Sequence, residues 1–254
     1  FMFEKETIRV YDSQSELYHT AFETFLQHTD QKTNARDWLE RFIALLPQRR
    51  VFIDAGAGTG QLTSWLIPQF TRTIALEPNA YLRSEFQKSC PGIKLLAEPI
   101  TEASPSALAD LVLCSHVFYY IQPDEWLRNL ETMLSWVNPL GVVLVALQNS
   151  RTDCMKMVHH FLGMRFDLMA LGEKLQHTTA NDYAVTLDTV PAHISTSDFD
   201  SAYVVAEFIL NLLPITTPPT RKALEEYVSK CFVDPHGGYR FSCHQDFLQV
   251  QRKT

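Results

Sequence analysis

Residues 51 to 66, VFIDAGAGTGQLTSWL, constrain the fold more than any other stretch of this chain. Three of the nine glycines in 254 residues, Gly56, Gly58 and Gly60, fall within five positions here. They follow an apolar run suited to a buried strand and precede a run suited to an amphipathic helix. Glycine permits positive φ and removes the Cβ that would hold a ligand off the backbone. The stretch predicts a strand–loop–helix junction, with Asp54 at its entrance and a ligand lying against the loop.

The spacing narrows the choice of ligand. A pyrophosphate-binding loop reads G-x-G-x-x-G, and here Gln61 occupies the slot of the third glycine. No Gly-Lys-Ser/Thr follows, which excludes a P-loop. The second strand-like run, TIALE, ends on Glu77, seventeen residues after Gly60, and Pro78 stops it. A carboxylate there suits the two ribose hydroxyls of a nucleoside, or it is a solvated group at a strand end.

Further runs extend the alternation. IKLLA (93–97), LVLCSH (111–116) and GVVLVAL (141–147) read as strands, and AYLRSEFQKSC and EWLRNLETMLSWV read as helices. Apolar runs without alternation mark parallel strands covered on both faces. The expectation is a doubly wound, Rossmann-like α/β sheet over 47–148 within one domain, 1–254. Apolar residues at helical spacing over 14–46 predict an N-terminal helical cap. Residues 149–254 are expected to form a substrate lid and terminal strands. Within that part, 151–173 and AYVVAEFILNLL read as helices, 174–200 shows weak periodicity, and YRFSCHQDFLQVQR reads as a strand pair or one strand.

Composition excludes several classes of function. A formal charge of −7 without a long basic block argues against nucleic acid or an anionic membrane as partner. No apolar run approaches the length of a membrane span, and FMFEKETIRV has neither part of a secretory signal. Five widely spaced cysteines lack zinc-ligand spacing, so no metal is expected and reduced thiols in the cytoplasm fit best. A monomer is expected.

Asp54, the G-x-G-x-G loop and Glu77 together resemble the motifs of class I S-adenosylmethionine-dependent methyltransferases. The resemblance implies S-adenosylmethionine as cofactor, with its methionine part against Gly56, Gly58 and Gly60 and its ribose on Glu77 beside Pro78. The adenine contact would come from the loop holding Glu98 and Pro99. The end of the fourth strand, Ser115 and His116, would face the transferring methyl group. Tyr119 and Tyr120 would either line the acceptor pocket or begin a helix and pack in the core.

Outside the cofactor region the chain resembles the histamine N-methyltransferase branch. The shared features are YHTAFETFLQHTD (18–30), the Tyr119–Tyr120 pair, EFILNLLPITTPPTRKALEEYV and RFSCHQDF. By that resemblance Tyr18 and Phe22 line the acceptor pocket. The branch's acidic contact for the substrate amine falls at Gln31, its strand-end glutamine at His116, and its terminal-strand asparagine at Cys243. Without that carboxylate, a desolvated amine lacks its counter-charge. A small-molecule acceptor other than histamine is therefore expected.

Transfer from a sulfonium needs an aligned nucleophile and little water. An amine or imidazole nitrogen requires only a free lone pair, whereas a hydroxyl or carboxyl acceptor requires a base. His116 is the candidate for orienting or deprotonating the acceptor, or it is a hydrogen-bonded core histidine. Three readings follow: an N-methyltransferase, an O- or carboxyl methyltransferase of natural-product metabolism, and a non-catalytic cofactor-binding protein. No Asn/Asp-Pro-Pro-Tyr motif follows the fourth strand, which argues against nucleic-acid bases or protein amides as acceptor.

Overall fold

The computed structural model describes residues 6–12, 15–179 and 182–253. Residues 1–5, 13, 14, 180, 181 and 254 lie outside the described part, among them the first residue of the expected 14–46 cap. Contacts divide the chain into two compact units, one of residues 38–147, 167–188 and 246–254, the other of residues 1–37, 148–166 and 189–245.

The first unit carries a seven-stranded sheet. Its strands are β1 (Val51–Ala55), β2 (Arg72–Leu76), β3 (Lys94–Leu96), β4 (Ala109–Ser115), β5 (Val137–Gln148), β6 (Tyr183–Val190) and, after β7 (His193–Thr196) and β8 (Tyr239–Ser242) of the other unit, β9 (Gln245–Arg252). Their spatial order is β3-β2-β1-β4-β5-β9-β6. β3, β2, β1, β4 and β5 run parallel, with Asp54 beside Ala75 and Leu113. Phe52, Ile53, Val112, Leu113, Val143 and Leu144 are wholly buried, as strands covered on both faces require. The order turns back between β1 and β4, which opens a ligand crevice beyond their carboxyl ends. The glycine loop and His116 both leave the sheet at that edge. This is the doubly wound, Rossmann-like α/β sheet expected.

Helices α3 (Gln61–Leu66), α4 (Ala80–Ser89), α5 (Trp126–Leu134) and, further along the chain, α7 (Leu168–Thr178) belong to this unit. Asn79 caps α4 by accepting from the Tyr81 and Leu82 N–H groups. The second unit holds α1 (Glu16–His28), the start of α2 (Gln31–Ala44), α6 (Asp153–Leu162), α8 (Phe199–Asn211) and α9 (Arg221–Cys231), with the antiparallel pair β7 (His193–Thr196) and β8 (Tyr239–Ser242). Glu207 of α8 is buried and accepts from Arg9 N–H and Nε and from the Tyr11 and Tyr203 hydroxyls. That carboxylate ties the N-terminal segment to α8.

Three expectations need correction. The stretch 174–200 holds two strands, β6 and β7, where only weak periodicity was visible. Residues 151–173 form two helices, because Gly163 takes a left-handed conformation and ends α6. The terminal stretch yields two strands that do not pair with one another: β8 joins β7, and β9 enters the large sheet. Among the described residues, no helix is long and apolar enough to cross a membrane.

Candidate cofactor and acceptor site

The loop after β1 is held by the end of β2. Gly56 and Ala57 N–H both donate to Leu76 O, at 3.0 and 2.9 Å, and Glu77 N–H donates to Leu96 O at 3.0 Å. Gly56, at φ 106°, lies so close to the segment after β4 that an added Cβ would sit 2.2 Å from Val117 Cγ2. Gly58, at φ 55°, would direct a Cβ into open space, with no atom within 4 Å. The first glycine serves close packing, whereas the second leaves bare backbone facing a void. A cradle of that kind fits the methionine part of the expected cofactor.

Glu77 supports the fit. It is only 6% exposed, so the reading as a solvated strand-end carboxylate is set aside. Oε2 accepts from Gly58 N–H at 2.9 Å and Oε1 from Asn79 N–H at 2.8 Å. An ionised carboxylate has about four acceptor sites, so these bonds hold the group in place and leave each oxygen able to receive a ribose hydroxyl.

Asp54 lies beneath the loop at 1% exposure and accepts from Thr63 Oγ1 at 2.6 Å. Burial pushes its carboxyl up to about 7, with the charge of Glu77 acting in the same direction and the Thr63 bond opposing.

A cavity of about 330 Å³ opens beside these groups, within the usual range for small-ligand sites. Gly56, Pro78, Glu98 and Pro99 line it, joined by Val117, Tyr120, Gln122, Glu125 and Asn129. Asp54, Glu77 and Gly60 support the loop from below or beside it. Tyr120 is 64% exposed and lines the cavity, while Phe118 of the same single 3-10 turn, Phe118–Tyr120, is wholly buried. The expected start of a helix at FYYI is therefore a 3-10 turn, and its core position belongs to Phe118.

Ser115, half-buried, closes β4. His116 follows at φ 59°, and among the described residues it alone of the non-glycines has positive φ. Such a backbone is costly for a side chain of this size and points to a constraint at the strand end. Its N–H donates to Ala146 O at 2.8 Å, and its ring lies 5.7 Å from that of Tyr119, nearly parallel to it. Neither ring lines the 330 Å³ cavity.

The remaining acceptor candidates belong to the helical unit. Tyr18 and Phe22 stack on α1, 6.4 Å apart, and both rest against Phe208 of α8. Gln31 is buried and its amide nitrogen donates to Cys243 O at 2.8 Å. Cys243 is fully buried, with Sγ 3.6 Å from Thr29 Oγ1, and burial pushes its thiol up to about 12. These two side chains are engaged with each other's segments.

Sequence reasoning missed Thr63, Asn79, Val117, Gln122, Glu125 and Asn129. Asn79 had a signal, being a capping residue ahead of a helical run. The others meet the site only through the fold.

A parallel sheet that reverses beside a glycine loop, with a buried carboxylate at the end of its second strand, has the layout of a class I S-adenosylmethionine-dependent methyltransferase domain. Residues 26–189 match the family described as methyltransferase domain, and the chain belongs to that family. An uncharacterized methyltransferase of Alkaliphilus oremlandii (strain OhILAs) is 21% identical over 141 residues, 54% of this chain and 65% of that protein. The chain thus spans less than two-thirds of the length of that curated relative. A putative methyltransferase from Bacillus halodurans C-125 superposes with a TM-score of 0.60 at 10% identity, covering 84% of this chain and 97% of that one. Magnesium protoporphyrin IX methyltransferase from Synechocystis PCC 6803, with bound S-adenosylmethionine, gives 0.52 at 11% identity, covering 96% and 87%. At these identities the likeness is one of fold.

Proposed function

We propose that the protein transfers a methyl group from S-adenosylmethionine to a nitrogen of a small amine or imidazole, as an outlying relative of the histamine N-methyltransferase branch. One observation carries the cofactor half of this reading. Glu77 is buried, its two oxygens are fixed by Gly58 and Asn79 N–H groups, and its neighbours in sequence, Leu76 and Pro78, line a cavity.

S-adenosylmethionine supplies an electrophilic methyl group on a cationic sulfur. Glu77 accepts the ribose hydroxyls, the Gly56–Gly60 backbone admits the methionine part, and the Glu98–Pro99 loop borders the adenine. The Glu77 carboxylate beside the loop adds negative potential that favours a cation. Ser115 and His116 stand at the strand end where such folds present the acceptor. Tyr18 and Phe22 supply aromatic surface suited to an amine or heterocycle.

The acceptor differs from histamine in this reading. The family's amine contact falls at Gln31, which is neutral and already bonded to Cys243 O. An acceptor without a permanent charge fits better. The strained His116 favours a second reading, O- or carboxyl methylation, because an imidazole fixed at the strand end is placed to accept a hydroxyl proton. The domain arrangement proposed is a cofactor core over 47–148, an N-terminal cap and a C-terminal lid, in a cytoplasmic monomer.

The test is to incubate the full chain with methyl-labelled S-adenosylmethionine and panels of amines, imidazoles, phenols and carboxylic acids, and to follow labelled product and S-adenosylhomocysteine. Turnover confined to nitrogen acceptors supports the first reading. Turnover confined to oxygen acceptors replaces it with the second.

A further inference from the structure

Helix α5 buries Trp126, Leu130, Met133 and Leu134, and with them it buries Asn129, which is 5% exposed. An amide is a poor choice for the inside of a helix. It competes for the backbone's hydrogen bonds, and its desolvation is costly unless it is bonded. Only half of this one is bonded. Nδ2 donates to Glu125 O at 3.0 Å, one turn back along the chain. A carbonyl oxygen can only accept, so that bond fixes the orientation of the amide and leaves Oδ1, a pure acceptor, on its other side. Oδ1 has no hydrogen-bond partner among the described residues. It is not sealed in the core, and Asn129 lines the 330 Å³ cavity.

Of the polar side chains lining that cavity, Asn129 alone is buried. Glu98 and Glu125 are exposed, and an exposed group that loses a partner regains water. The buried lining is otherwise apolar, with Leu76 at 1% and Ile100 at 6% exposure. Apolar walls with one buried acceptor suit a flat heterocycle that carries a hydrogen-bond donor on its edge. Leu76 directly precedes Glu77, and Ile100 directly follows the Glu98–Pro99 loop, so these groups belong to the nucleoside end of the site.

Adenine carries an exocyclic amino group, a donor on the edge of a planar ring. A purine lacking it would leave Oδ1 desolvated and unpaired, and a site built to bond a donor rejects the analogue without one. We propose that Asn129 is the residue that selects adenine, its Oδ1 accepting from the exocyclic amino group of the cofactor. The proposal rests on the cofactor reading of this cavity and names a specificity contact within it.

The full chain is titrated calorimetrically with S-adenosylhomocysteine and with its analogue bearing unsubstituted purine in place of adenine. The wild-type chain should bind S-adenosylhomocysteine at least about tenfold more tightly than the analogue. Asn129→Leu, close in volume, should lose about tenfold or more of the affinity for S-adenosylhomocysteine and keep that for the analogue, so that the preference disappears. Asn129→Ala repeats the comparison with a smaller side chain, and circular dichroism verifies the fold of each variant. Equal binding of the two ligands by the wild-type chain would overturn the proposal. So would Asn129 variants that keep the wild-type preference, or that weaken both ligands alike, which would place the oxygen against another part of the cofactor. A preference abolished by Glu98→Ala and untouched in both Asn129 variants would move the selection to the rim and overturn it equally. Binding of neither ligand by the wild-type chain would remove the cofactor reading together with the proposal, whereas binding without the Asn129 effect removes this contact alone.

Discussion

The backbone N–H of Gly58 donates to Oε2 of Glu77 at 2.9 Å, joining the glycine loop to the end of the second strand across 19 positions of sequence. This bond makes the carboxylate and the cradle one unit. Removing either partner therefore has consequences beyond its own contact.

Glu77→Gln should weaken S-adenosylhomocysteine binding by roughly 10- to 100-fold, since hydrogen bonds to a charged group contribute about 1.5–3 kcal/mol. The amide must also point an N–H group at either Gly58 or Asn79. Calorimetric titration checks this, with circular dichroism to confirm the fold. Unchanged affinity would remove Glu77 from the site.

Gly56→Ala and Gly58→Ala should separate packing from binding. At Gly56 a methyl group meets Val117 Cγ2 at 2.2 Å, and overpacking plus positive φ should cost about 3 kcal/mol. At Gly58 the space is open, so the strain of a left-handed alanine, about 1 kcal/mol, is the only folding cost. Thermal unfolding should fall much further for Gly56→Ala. Cofactor affinity should fall in Gly58→Ala, although it folds nearly normally.

Asp54 gives stability a pH dependence of known sign. Its carboxyl is raised from 3.8 to about 7 by burial, so the folded form keeps a proton that the unfolded form has lost. Between those values stability falls as pH rises, by roughly 1.4 kcal/mol per unit for one proton. Above about pH 7 the penalty is complete. Asp54→Asn removes this titration while still offering an oxygen to Thr63. The difference in unfolding free energy between variant and wild type should grow in favour of the variant from pH 4 to 7 and then level off. A flat difference would contradict it.

His116 permits a similar separation. Because φ is 59°, His116→Gly should be more stable than His116→Ala by about 1 kcal/mol. Both lose the imidazole. For an oxygen acceptor both should lose about 10²- to 10⁴-fold in turnover, the usual range for a positioned base. For a nitrogen acceptor the loss should be small and independent of pH. Denaturant unfolding and pH–rate profiles of the two variants decide it.

These residues also mark what the sequence carried and what it did not. β1, β4 and β5 were legible because both faces of each strand are buried, leaving apolar runs too short for helices. Glu77 was legible because the strand before it ends at a proline. β6 and β7 were obscured because β6 is half exposed along its length, so its alternation is weak and polar residues interrupt it. The separation of β8 from β9 depends on the two-residue break Cys243–His244, which carries no turn signature of its own. Thr63 reaches Asp54 only because α3 folds back over β1, and the strain at His116 follows from the backbone path, which composition cannot report. The burial of Gln31 against Cys243 is likewise a product of tertiary contact.

The most direct measurement is a calorimetric titration of the wild-type chain and Glu77→Ala with S-adenosylmethionine, S-adenosylhomocysteine and NAD. Micromolar binding of both adenosyl ligands, lost in Glu77→Ala and absent for NAD, is the predicted result. Tight NAD binding, or adenosyl binding indifferent to Glu77, would contradict the account.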